Sequence, residues 1–178
     1  MINDKTHMYK WCQFNPKYDI KDSFYGKILN FYLWQCPVEK TAYTAPTFKE
    51  LGWSSGYQFK KLKKTIINLP DSPIPYLVVD KSNLQNTLVE YKQFNSYVFE
   101  EVIIFTKTGE GEMVTLLRSI RNAFAHGSFM VRKKRSTNAY YYFFESRNPS
   151  GDLQARLILK SSTLVSMIKI ISSGFHSL

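Results

Sequence analysis

Most of the chain alternates between apolar stripes at helical spacing and short breaks. Over residues 22–35, Phe24, Ile28, Phe31 and Tyr32 recur on one face and Pro37 stops the run. Residues 55–69 carry Phe59, Leu62, Ile66 and Leu69 as a stripe, with Lys60, Lys61, Lys63 and Lys64 beside or opposite it. Pro70, Pro73 and Pro75 then force an extended connection. A long helix is predicted over 82–105, capped by Ser82 and keeping its period through Leu84, Leu88, Tyr91, Asn95, Val98 and Val102. A loop built on Gly109 and Gly111 precedes a helix over 112–126, which Gly127 is placed to end. Residues 138–145 and 153–160 are strand-like and flank a turn at 147–152, which predicts a β-hairpin. A last helix covers 162–173, with Leu164, Met167, Ile168 and Ile171 on one face and Gly174 at its end. The expectation is a mainly α fold, a helical bundle of four to five helices with one hairpin at about 138–160 before the last helix. A short helical turn is expected at Thr47–Leu51, and Tyr9, Trp11, Phe14 and Tyr18 are expected to pack an irregular N-terminus onto the body.

The length of 178 residues suits one domain with its own core, and 44% hydrophobic residues place it in the globular class. Lys and Arg number 24 against 14 Asp and Glu, a net charge of +10. Such an excess favours a polyanionic partner, nucleic acid first and an anionic membrane surface second. Cys12 and Cys36 make no metal-ligand spacing with His7, His126 or His176, so neither a metal nor another cofactor is expected. Reduced, partly buried cysteines and a first segment without an apolar core point to a cytoplasmic protein. No apolar run approaches the ~20 residues of a membrane span.

The chemistry concentrates in Leu116–Gly127. With a turn of ~100° per residue, Met113, Leu116, Leu117, Ile120, Ala123 and Phe124 share one face, and Arg118, Arg121, Asn122, Ala125 and His126 the other. Asn122 and His126, four apart, are neighbours on adjacent turns, so the amide can orient the imidazole. Arg121 lies ~7 Å along the axis from His126, too far for both to meet one small atom within a single chain. A two-fold axis between two copies would converge them. His can move protons to and from ribose oxygens, and Arg presents a planar fork to phosphate. On spacing alone, an ordinary solvent-facing polar stripe explains these residues as well.

The segment Arg118-Ser119-Ile120-Arg121-Asn122-Ala123-Phe124-Ala125-His126-Gly127 resembles the signature of the HEPN superfamily (higher eukaryotes and prokaryotes nucleotide-binding): an Arg, four to six residues, then His, often with Asn after the Arg. It resembles in particular plasmid- and defence-associated bacterial members, whose hairpin and final helix correspond to Tyr140–Ile171. The resemblance implies a helical bundle, a homodimer and metal-independent RNA cleavage by 2′-hydroxyl attack, leaving a 2′,3′-cyclic phosphate. Arg121 would bind phosphate, His126 would transfer protons and Asn122 would orient the site. The resemblance implies a toxin or anti-phage defence effector, with an antitoxin or defence-system protein as its partner. Where toxins controlled by a nucleotidyltransferase carry Tyr two residues after the His, this chain has Ser128, so control of that kind is not implied. The alternatives are a non-catalytic HEPN module that binds RNA, nucleotide or a partner protein, and a basic helical interaction protein.

Around the motif, Arg118 and the run Arg132-Lys133-Lys134-Arg135 are candidate RNA-backbone contacts; for the run, a solvated loop is the equal alternative. Tyr140, Tyr141 and Tyr142 are more suited to packing the hairpin than to stacking bases. Gly109-Glu110-Gly111 lacks the residues of a phosphate loop, and Glu112 is suited to the helix start.

Overall fold

The computed structural model describes residues 15, 20–38, 42–70, 72–91, 94 and 98–175. The N-terminal aromatics Tyr9, Trp11, Phe14 and Tyr18 and the terminal His7 and His176 lie outside them. Among the described residues, five α-helices pack against the two faces of a five-stranded sheet. The mainly α expectation is therefore corrected: this is an α/β fold.

Helix α1, Tyr25–Asn30, continues into a π-helical turn, Phe31–Gln35. Helix α2, Gly56–Ile67, begins in a capping box in which the Ser55 hydroxyl accepts from the Gln58 N–H and the Gln58 side chain accepts from the Ser55 N–H. Strand β1, Tyr76–Val79, follows the prolines, and helix α3, Leu84–Glu90, leads toward β2, Val102–Thr106. Helix α4 is Glu112–Ala125, β3 is Phe129–Lys134, β4 is Ala139–Arg147, β5 is Leu153–Lys160 and helix α5 is Ser161–Ser173.

The sheet order is β1-β2-β5-β4-β3. Strands β1 and β2 run parallel, joined through α3, and every other pairing is antiparallel. The predicted hairpin is the β4–β5 pair, closed by a turn in which the Asp152 N–H donates to the Asn148 side chain at 2.8 Å. The predicted helix over 82–105 is overturned at its C-terminal end. A 3-10 turn at Lys81–Asn83 runs into the helix Leu84–Glu90, which has no side-chain cap; residues 92, 93 and 95–97 lie outside the described residues, and Val102–Thr106 is a strand buried on both faces. A strand covered on both sides reads as a continuous apolar run, which periodicity alone cannot separate from helix. Of the basic run, for which a solvated loop was one of two readings, Arg132, Lys133 and Lys134 form the second half of an edge strand and Arg135 begins the turn after it.

Two cores follow from the pleat. Ile103, Phe105, Tyr142, Phe144, Leu157 and Leu159 face helices α1, α2, α4 and α5. Val102, Ile104, Tyr141, Phe143 and Ile158 face the other side, where Leu84, Leu88 and Phe94 cover them. The four helices read correctly from the sequence thus gather on one face of the sheet.

Candidate active site at the end of helix α4

Helix α4 is rigid because one side is locked into the larger core. Met113, Leu116, Leu117, Ile120, Ala123 and Phe124 are all buried, the face predicted by spacing. The Phe124 ring sits 4.8 Å from Phe129, 5.1 Å from Phe144 and 5.9 Å from Tyr32, centroid to centroid. The helix ends as expected. Gly127 takes φ +63°, the Ser128 N–H donates to the Ala123 carbonyl at 2.8 Å, and the Gly127 N–H donates to Phe124 at 3.2 Å. This left-handed cap turns the chain straight into β3.

The polar stripe lies on the opposite side. Ala125 and His126 are exposed, and Arg118, Arg121 and Asn122 are half-buried. Arg121 Nη1 donates to Asn122 Oδ1 at 3.1 Å. The amide oxygen therefore holds the guanidinium. The Arg121 charge also reaches Cys36, just past the π turn. It favours the Cys36 thiolate, but burial outweighs it and pushes the thiol up to about 12. Cys36 is fully buried, deeper than expected, and sequence spacing gave no sign that it neighbours Arg121.

The flanking cations divide. Arg118 forms an ion pair with Glu110 in the preceding loop. Glu112 at the helix start is paired with Lys63 of α2 at 2.6 Å. On β3, Met130, Arg132 and Lys134 pair with Phe143, Tyr141 and Ala139, whereas Val131 and Lys133 pair with Tyr142 and Tyr140. The pleat therefore sends Arg132 and Lys134 to one face and Lys133 to the other, and Arg135 sits exposed in the turn that follows. Arg132 Nε reaches Met130 Sδ at 3.2 Å, and Lys133 Nζ lies 5.7 Å from the Tyr140 ring centre. The four cations line both sides of an edge, not one patch beside His126.

A buried polar hub went unread. The Asp22 carboxylate, 6% exposed, accepts from the Tyr142 and Ser161 hydroxyls, each at 2.6 Å, and from the Phe24 N–H at 3.0 Å. Burial, then the bond to Asp22, raises the Tyr142 pKa. This hub ties α1, β4 and α5 beneath α4. Asp just before a helix was its one sequence signal. A second hub joins Glu145 to Arg147 and Arg156 at 2.8 and 3.1 Å on the far face.

No family model, curated protein or solved structure matches this chain. Function is therefore inferred from the residues themselves. Among the described residues, no cluster of three or more His, Cys, Asp or Glu is placed to hold a metal, and no helix is long and apolar enough to cross a membrane.

Proposed function

We propose that the chain is a metal-independent endoribonuclease whose site forms where two copies bring the ends of their α4 helices together. One observation carries this: Arg121, steadied by Asn122, and an exposed His126 stand one turn apart at the end of a helix anchored in the core. The reading rests on that chemistry and not on a helical bundle, which the sheet replaces.

In the proposed reaction, His126 accepts the proton of a ribose 2′-hydroxyl, and that oxygen attacks the adjacent phosphorus. The O2′–P bond forms and the P–O5′ bond breaks. A proton is delivered to the departing 5′-oxygen, leaving a 2′,3′-cyclic phosphate. Arg121 offsets the charge that grows on the phosphorus oxygens. Because Arg121 and His126 of one copy are ~7 Å apart along the axis, the reaction needs an Arg and a His from different copies. A toxin or defence effector with a controlling partner is the setting such an activity suits. The cations along β3 favour a second reading, RNA binding without cleavage.

The test is incubation with total RNA in EDTA, comparing wild type with Arg121→Ala and His126→Ala. Cleavage lost in both variants supports the nuclease. Mixing the two inactive variants should restore about a quarter of the activity, since half the dimers are mixed and each regains one of two sites. RNA retention without cleavage by any form supports the second reading, and a monomer that ignores RNA ends both.

A further inference from the structure

Among the described residues the sheet ends at β3, which has β4 along one side only. The ladder fixes which backbone groups face the other side. The Glu145 N–H donates to the Ser128 carbonyl at 3.0 Å, and the Thr137 N–H donates to the Lys134 carbonyl at 3.3 Å inside the β3–β4 turn. Backbone groups alternate in direction along a strand, so Met130, Arg132 and Lys134 bond toward β4. Val131 and Lys133 turn their N–H and C=O groups outward. This edge is held in place, because the Phe129 ring packs 4.8 Å from Phe124 and β4 pairs with the whole strand.

The charges decide what can pair there. Arg132, Lys133 and Lys134 follow one another, and the pleat divides them between the two faces of the sheet. A nucleic-acid backbone running along one face meets only part of this set. Its phosphates accept from outward N–H groups but offer no matching donors in register to the carbonyls. An extended peptide laid in the plane of the sheet alternates its own side chains in the same way, so consecutive acids meet the cations on both faces. Lys134 also lines a cleft with Glu100 and Glu101, which offset its charge, so the acids opposite Arg132 and Lys133 weigh most.

We infer that β3 takes up an acidic, extended segment of a partner protein as a sixth strand of the sheet. The outward amides of Val131 and Lys133 supply the ladder, and the cations select a partner strand with consecutive Asp or Glu residues. The inference stands apart from the nuclease reading, since strand addition needs neither RNA nor cleavage. It competes with RNA binding along β3, and the two differ in what they ask of the backbone.

The experiment is a fluorescence-anisotropy titration of the full chain against a labelled peptide of Val and Thr around consecutive Glu residues. Its Lys counterpart and an oligoribonucleotide with methylated 2′-hydroxyls, which cannot be cleaved by 2′ attack, are titrated beside it. Saturable binding of the Glu peptide but not of the Lys peptide is expected. Methylating alternate backbone nitrogens of the Glu peptide leaves its charge intact. In one phase the methyl groups meet β3 and should weaken binding by about tenfold, and in the other phase they should not. Val131→Pro keeps every charge and removes one outward N–H, at a place where an edge strand accepts proline. It should weaken the Glu peptide by about tenfold and leave oligoribonucleotide binding unchanged. The methylated peptides make the same test on the wild-type chain, so the outcome does not hang on the folding of the proline variant. No saturable binding of the Glu peptide, indifference to methylation in both phases, or an equal loss of peptide and oligoribonucleotide in a folded Val131→Pro overturns the inference. Oligoribonucleotide binding without peptide binding assigns the cations of β3 to nucleic acid and overturns it too.

Discussion

Replacing Asp22 by Ala removes the acceptor for two hydroxyls and one backbone N–H at once. The Tyr142 hydroxyl belongs to a residue that is 0% exposed, and Ser161 is 6% exposed, so neither finds water in compensation. Leaving a buried donor unsatisfied costs about 1–3 kcal/mol. With two fully affected donors and the Phe24 N–H partly so, the loss should be about 3–5 kcal/mol. For a chain of this size that lowers the melting temperature by about 10 °C. Urea denaturation followed by fluorescence reads the loss as a lower midpoint at constant slope. Tyr142→Phe removes one donor but leaves the carboxylate its other partners, so about 1 kcal/mol is expected. The double variant should cost clearly less than the sum, because the tyrosine hydroxyl has nothing left to lose once Asp22 is gone. An Asp22→Ala loss below about 1 kcal/mol, or strict additivity, would refute the hub.

Gly174 takes φ +75°, and a Cβ there would stand 2.5 Å from the Leu51 carbonyl oxygen. Gly174→Ala should therefore cost about 2–4 kcal/mol in the same denaturation assay. Glu145→Ala removes the carboxylate that Arg147 and Arg156 share and should cost about 3–5 kcal/mol, with a near-neutral result counting against a structural role. In a Cys12→Ser background, Cys36 should resist a thiol reagent at pH 8 in the native state and react at once in urea. Its raised folded pKa also stabilises the fold fully below the unfolded thiol value. That contribution should fall as pH rises from about 9 toward about 12, read as a falling urea midpoint relative to Cys36→Ala.

Four helices, the β4–β5 hairpin and the Gly127 cap were legible because local chemistry decides them: a stripe at spacing three and four, a turn at Asn148–Asp152, a glycine at positive φ. The sheet was not legible. Strand β1 is four residues long behind three prolines, and β2 is buried on both faces, so neither shows the alternation that betrays a strand. They gain their stability from pairing with each other and, for β2, with β5, which no local window contains. Strand β3 was hidden by its charges, since Arg132, Lys133 and Lys134 suggest solvent more strongly than they suggest a ladder. At the candidate site, the spacing of Arg121, Asn122 and His126 placed them on one exposed stripe. The direction of the Asn122 amide and the nearness of Cys36 depend on how α1 packs against α4, and that is a long-range fact.

The sheet's two outermost strands carry contrasting defences against polymerisation. Strand β1 offers a free backbone only four residues long, preceded by Pro73 and Pro75, too brief a template for a foreign strand. Strand β3 is longer, and its guard is electrostatic: three successive cations repel the same strand of another molecule. Salt shortens the reach of that repulsion to about 10 Å at 0.1 M and about 3 Å at 1 M. This protein should therefore stay dispersed in dilute buffer and become more prone to fibre-like association as salt is added.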